Sequence, residues 1–315
     1  MGKFFIKRIL TAIVQIFVVV TIVFFALQIM PGDPVLMMLS QDGSAVDQEA
    51  YDALEAELGL DQPVFKQYTS WIAGLFQGDL GTSYGENRPV VDAIGDRLPR
   101  TLELAVVALV LACIIGIPLG IISAVRRGGF LDLVLTLISS LGNSVPVFVL
   151  GYIMVLIFSL GLGLLPSSGF VPVARGLEKH LLRLILPAVT LAFGVAASVL
   201  RMTRSSMLES LGSESIRPLR AKGLPKSKVY LKHVMRNMLI PVVTIIGLQL
   251  GNLIANTVLC EAVFNWPGIA TLLVDAINNR DYPLIQGCML VLSAIFILTN
   301  MVVDLLYGLL DPRAR

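Results

Sequence analysis

Six stretches of this chain are long and apolar enough to cross a lipid bilayer, at roughly residues 9–30, 101–125, 133–160, 181–201, 238–263 and 284–308. Crossing about 30 Å of hydrocarbon takes about 20 residues of helix. Composition agrees: 56% of the residues are hydrophobic and 15% charged. Soluble domains hold about 45–50% and about 25%. The predicted fold class is therefore an all-α integral membrane protein with six transmembrane helices. The first run follows Lys3, Lys7 and Arg8 in the charge order of a signal peptide. It is longer than a typical signal core and no A-x-A-like site closes it, so it reads as an uncleaved first helix. Ile6 at the sixth position breaks the myristoylation pattern. The third apolar stretch is too long for one straight span, and Gly142, Asn143 and Pro146 interrupt it. A kinked helix is expected there.

Orientation follows from the distribution of lysine and arginine. With the N-terminus in the cytoplasm, 16 of the 24 basic residues fall on inner segments. The reading is N-in and C-in. The expected organisation is an N-terminus with the first helix (1–30), an extracytoplasmic loop domain (31–98), a five-helix core (99–310) containing a cytoplasmic loop at 205–236, and a tail (311–315). The outer loop carries twelve acids against three bases, net −9. Tyr51, Leu54 and Leu58 repeat at helical spacing within it. A piece this small has little core of its own, so it is expected to lean on the membrane helices.

The inner loop between the fourth and fifth spans gathers Arg217, Arg220, Lys222, Lys226, Lys228, Lys232 and Arg236. Positive charge alone is explained by the inside rule. The punctuation needs another reason. Ser213 or Ser215 suits a helix N-cap, Pro218 a first turn, and Gly223 followed by Pro225 a helix stop. The result is a helix of about two turns, too short to be stable alone in water. It must dock on something, with Ile216 and Leu219 exposed beside its bases.

That loop, "RPLRAKGL" (217–224) with "RNMLIP" (236–241), resembles one in the permease subunits of binding-protein-dependent ABC importers of the dipeptide/oligopeptide/nickel branch. So do "MPGDP" (30–34), "GDLGTS" (78–83), "RLPRTLELA" (97–105), "FNWPGIATLLVDAI" (264–277), "RDYPLIQG" (280–287) and "VDLLYGLLDPR" (303–313), in the same order along essentially the whole chain. The resemblance implies a type I ABC importer-like architecture in a bacterial inner membrane. It implies that Glu214, Ile216, Arg217, Leu219, Arg220, Ala221, Lys222, Gly223 and Leu224 form the element that docks on an ATPase. It implies an outer gate at Trp266, Pro267 and Gly268, and Trp266 also suits the membrane interface. Pro218, Leu219 and Ser215 stand where the family usually has Thr, Ala and Tyr, so the docking contact itself departs from the pattern.

The implied partners are a homologous second permease, two ATPase subunits and an extracytoplasmic solute-binding protein, with membrane lipid around the spans and no nucleic acid. The chain has no G-x-x-x-x-G-K-[ST] loop, so no cofactor is expected on it; ATP and Mg are expected on the ATPases.

Polar residues inside spans invite functional readings. Gln249, Asn252 and Asn256 share one helical face, and it fits a translocation path or a subunit-facing stripe equally well. Asn143 at the kink is a second candidate for the path. The pairs Gly116/Gly120 and Gly247/Gly251 have the spacing of close helix packing. "GTSYG" (81–85) has the form of a nucleophile elbow, but no strand precedes it, and only His180 and His233 are available as a base. A membrane hydrolase using Ser83 is one alternative, and an ion-driven carrier another, although neither inverted repeats nor midplane ionisable residues are visible. Cys113, Cys260 and Cys288 read as small buried residues with no disulfide or zinc spacing. The spans offer no clustered metal ligands, which favours peptides as cargo over nickel. The alternative is the same architecture importing nickel, a metal chelate or glutathione.

Overall fold

The computed structural model describes residues 2–39, 47–213, 216, 225 and 234–310. Nearly all of them are helical, and the one β interaction among them is an isolated bridge between Thr82 and Pro89. The helices are α1 (Gly2–Ile29), α2 (Pro34–Leu39), α3 (Gln48–Glu57), α4 (Val64–Phe76), α5 (Val90–Val125), α6 (Phe130–Ser144), α7 (Val147–Met154), α8 (Leu177–Gly212), α9 (Met235–Phe264), α10 (Ile269–Asn278) and α11 (Tyr282–Leu310).

Five of these are long and apolar enough to span a membrane: α1, α5, α8, α9 and α11. The sixth expected span is α6 followed by α7 and a π-helical stretch (Val155–Gly161), bent by 111°. The kink read from the sequence is thus a full break. Its cause is Pro146. The ring disfavours helical backbone at the residue before it, and Val145 is extended (φ −85°, ψ 122°). α6 therefore stops at Ser144, and Pro146 begins the next helix as its N-cap.

The chain forms two compact units. The first comprises Met1–Phe5, Leu102–Trp266 and Thr299–Arg315. Its centre is α8, whose most apolar window is 61% buried, against 17% for α1. α8 packs on α9, α6 and α7. Small side chains allow this: Ala188, Ala192, Ala196 and Ala197 are all buried. α5 approaches α8 at Gly116 and Gly120. A β-carbon at Gly120 would lie 2.6 Å from the Thr203 β-carbon and 2.7 Å from the Leu200 carbonyl oxygen. The Gly116/Gly120 pair is therefore a helix-packing device, and Gly247 plays the same part against Val303.

The second unit comprises Ile6–Thr101 and Pro267–Leu298. The loop after α1 does lean on that helix. Phe24 meets Tyr68 and Trp71 of α4 at ring separations of 5.2 and 5.7 Å. Thr21 Oγ1 and Tyr68 Oη are 2.8 Å apart. Asp33 caps α2 by accepting from the Val35 and Leu36 amides. Its other oxygen accepts from Tyr51 Oη at 2.6 Å. A core of Leu27, Val90, Ile94, Ile269, Leu272, Leu284 and Ile285 joins α1, α5, α10 and α11.

Candidate functional site

Of the nine residues expected to dock on a motor subunit, Glu214, Arg217, Leu219, Arg220, Ala221, Lys222, Gly223 and Leu224 lie outside the described residues. Ile216 is described, and it is 2% exposed. Its side chain packs in the α8-centred core, so the expectation that it stands exposed beside the bases is corrected. Burial of this β-branched residue satisfies its hydrophobicity within the chain. It ties the start of the segment to the end of α8, and the Ile216 amide donates to the Ser213 carbonyl at 3.2 Å.

The inner end of α8 is braced by an ion pair that sequence reading did not single out. The Arg204 guanidinium donates to both Asp132 oxygens, at 2.7 and 2.9 Å. Ser123 Oγ donates to the same carboxylate at 2.5 Å and the Gly128 amide at 2.9 Å. Asp132 is 5% exposed. Four donors on one buried carboxylate tie α5, the α5–α6 turn, α6 and α8 together, which fixes the platform from which residues 213–224 leave. A bidentate guanidinium is the strongest such clamp a side chain offers. The legible signal was an aspartate and an arginine at the ends of apolar runs. Nothing along the chain paired them across 72 positions.

The "NWPG" segment closes one stretch of the first unit at Trp266 and opens one of the second at Pro267. In the first, Trp266 is completely buried. Its ring meets Phe170 edge-on at 4.9 Å and His180 at 6.1 Å. Aromatic neighbours enclose the indole, so protein covers this ring. Asn265 turns the chain in the left-handed region (φ 47°), as asparagine does more readily than most residues. The His180 ring lies between two oxygens, Val171 carbonyl at 2.7 Å and Glu103 Oε1 at 2.8 Å. In the second unit, the Pro267 carbonyl accepts from Arg100 at 3.3 Å. Gly268 is buried. The Ile269 amide, at the free N-terminus of α10, donates to Thr101 Oγ1 at 2.9 Å. A side chain of α5 thus satisfies a helix end that Gly268 cannot cap.

The polar stripe of α9 is partly accounted for. The Asn252 carboxamide donates to Gln249 Oε1 at 2.9 Å, and Asn252 is exposed while Gln249 and Asn256 are half-buried. Asn143 accepts from Ser198 Oγ at 2.8 Å and donates to the Ser139 carbonyl at 2.8 Å, so it fastens the end of α6 to α8. Ser83 of "GTSYG" is fully buried. Its hydroxyl donates to Asp281 Oδ2 at 2.5 Å and accepts from the Glu86 amide at 3.0 Å. Asp281 also accepts from the Gly85 amide and, through Oδ1, from the Leu284 amide in the first turn of α11. Ser83 is therefore a pin between a turn and a helix N-terminus. Burial beside Asp281 pushes the Tyr84 phenol up from its ordinary value. Among the described residues no group of three or more His, Cys, Asp or Glu is arranged to hold a metal ion.

Residues 116–315 match the family model described as binding-protein-dependent transport system inner membrane component, and residues 1–105 match the model for the N-terminal part of such components. The dipeptide transport system permease protein DppB of Escherichia coli K12 is 39% identical over 335 aligned positions, covering 99% of this chain and 98% of that one. The glutathione transport system permease protein GsiC of the same strain is 41% identical over 315 positions, covering 100% and 99%. A probable peptide ABC transporter permease, y4tP of Sinorhizobium fredii, is 37% identical across the full length of both. Among solved structures, an inward-facing form of the MetNI methionine ABC transporter superposes with a TM-score of 0.57 at 20% identity, covering 69% of this chain and 96% of that one. This likeness carries the fold of the membrane subunit.

Proposed function

Because the chain belongs to the binding-protein-dependent transport system inner membrane components, a multi-pass bacterial inner-membrane permease of the dipeptide/oligopeptide branch, we propose that its cargo is a short peptide delivered by an extracytoplasmic solute-binding protein. The observation that carries this reading is full-length similarity of 37–41% to permeases named for dipeptide, peptide and glutathione transport. Glutathione is itself a short peptide, so that relative narrows the cargo class without changing it.

The energy comes from elsewhere. The chain pairs with a second, homologous permease, and two ATPase subunits bind ATP and Mg below them. Residues 213–224 carry the motion of the ATPases to the spans. The Asp132–Arg204 brace supports this role, since it stiffens the helix from which that segment departs. Asn143, Gln249, Asn252 and Asn256 face the path or the second permease. Trp266, Pro267 and Gly268 form the outer gate.

The test is reconstitution of the four membrane and ATPase subunits with the binding protein in liposomes. A labelled dipeptide should accumulate only with ATP, and deletion of 213–224 should abolish both uptake and cargo-stimulated hydrolysis. Survival of both activities after the deletion refutes the coupling role. Uptake of other cargo but no peptide refutes the cargo class.

A further inference from the structure

The second unit contains a cavity of about 380 Å³, formed between the end of α1, the α3–α4 connection, the "GTSYG" turn and the start of α11. Small-molecule sites run from roughly 300 to 1,000 Å³. Trp71, Tyr84 and Tyr282 give it aromatic walls. Gln28, Gln62 and Gln286 give it carboxamides.

Not all of the amides are engaged alike. Gln67 is saturated: it donates to the Leu60 and Gln62 carbonyls and accepts from Gln28. Gln286 is the opposite case. It is 8% exposed, it lines the cavity, and its carboxamide bonds to no described residue. Its polar atoms are not shut away from solvent, since among the described residues only Thr203 Oγ1 is a buried side-chain polar atom without a hydrogen bond. The Gln286 carboxamide therefore faces the cavity with its donors and acceptor uncommitted to protein, available to water or to a guest.

The charge pattern narrows the occupant. Among the described residues Glu57 is the single charged side chain in the lining, and none of them places a cation beside it. Glu57 is also the last residue of α3, where the negative end of the helix dipole adds to its charge. A phosphate or an isolated carboxylate is repelled. A lone carboxylate is also too few ligands for a metal ion. What fits is a small molecule with an ammonium group at one end and amides behind it, flat enough to lie against aromatic rings.

We propose that this cavity binds the free amino end of a short peptide, with the ammonium at Glu57 and the peptide amides on Gln62 and Gln286. The site rests on the peptide reading of the cargo and adds to it a station on the permease's own outer piece, at the outer ends of α1 and α11.

Binding is read on the full-length chain in lipid nanodiscs, without the binding protein. Trp71 is one of two tryptophans, and the other, Trp266, is fully buried in the first unit, so a ligand-induced change in emission reports on the cavity. Dialanine should give a saturable change, and N-acetyl-dialanine should bind at least tenfold more weakly. Gln286→Leu should weaken dialanine at least tenfold. Glu57→Gln, at an exposed position that folding tolerates, should abolish the preference for the free amine even where Gln286→Leu folds poorly. No saturable change with dialanine, equal binding of the acetylated form, or wild-type titration by Glu57→Gln each overturns the site. A change produced by the unliganded binding protein and not by dialanine also overturns it, in favour of a docking segment. Dipeptide uptake by the assembled transporter is measured alongside. Intact uptake with no binding here removes the site alone, and absent uptake removes the peptide reading.

Discussion

The Arg204 guanidinium and the Asp132 carboxylate form a two-pronged ion pair, with nitrogen–oxygen distances of 2.7 and 2.9 Å. Arg204 is 29% exposed and Asp132 7% by side chain. Removing one member of such a pair leaves the other charge poorly compensated. Asp132→Asn or Arg204→Met should each destabilise the chain by about 3 kcal/mol. Asp132→Leu combined with Arg204→Leu should recover part of that loss. Thermal unfolding in detergent, arranged as a double-mutant cycle, gives the coupling.

Close contact at Gly120 leads to a steric expectation. A methyl there collides with Thr203 and with the Leu200 carbonyl. Gly120→Ala should cost about 1–3 kcal/mol through overpacking and helix displacement. Gly95, on an exposed face of α5 with nothing within 4 Å of an added β-carbon, is the control. Gly95→Ala should stabilise by about 0.5–1 kcal/mol, because alanine loses less freedom in a helix. Unfolding midpoints of the two variants should move in opposite directions.

The Tyr51–Asp33 hydrogen bond has a pH signature. Bonding to the Asp33 carboxylate pushes the Tyr51 phenol from 10.0 up to about 12. The folded value lies above the unfolded one, so the bond contributes stability fully below about pH 10. That contribution is lost as pH rises from 10 toward 12. Tyrosinate absorbance should place Tyr51 among the late-titrating phenols, with Tyr84, and Asp33→Ala should bring Tyr51 alone back toward the ordinary range. A midpoint for Tyr51 unchanged by Asp33→Ala would contradict the contact.

Ser83 is fully buried, its hydroxyl is committed to Asp281, and no imidazole is among its hydrogen-bond partners, so it should not behave as a nucleophile. A fluorophosphonate probe should leave Ser83 unlabelled in the intact chain. Ser83→Ala should lower stability by about 1–2 kcal/mol while preserving transport. Asp281→Ala should cost more, since it strands the Ser83 hydroxyl and two backbone amides at once.

What could be read along the chain was set by local physics. Bilayer thickness demands long apolar helices, and six such stretches stand out whatever their neighbours do. Pro146 interrupts a helix by its own ring, and Gly116 with Gly120 marks a face by spacing alone. The tertiary structure decided whatever depends on which surfaces meet. Hydropathy indicates that Trp266 and Ile216 prefer to leave water, and only packing shows that protein, rather than lipid or a partner, covers them. A proline predicts a bend, but its 111° depends on where α6 and α7 find contacts with α8. Ser83 and Asp281 are 198 positions apart, and Asp132 and Arg204 are 72 apart. Such polar pairs become strong only once burial removes water from between them, and burial is a property of the assembled helices.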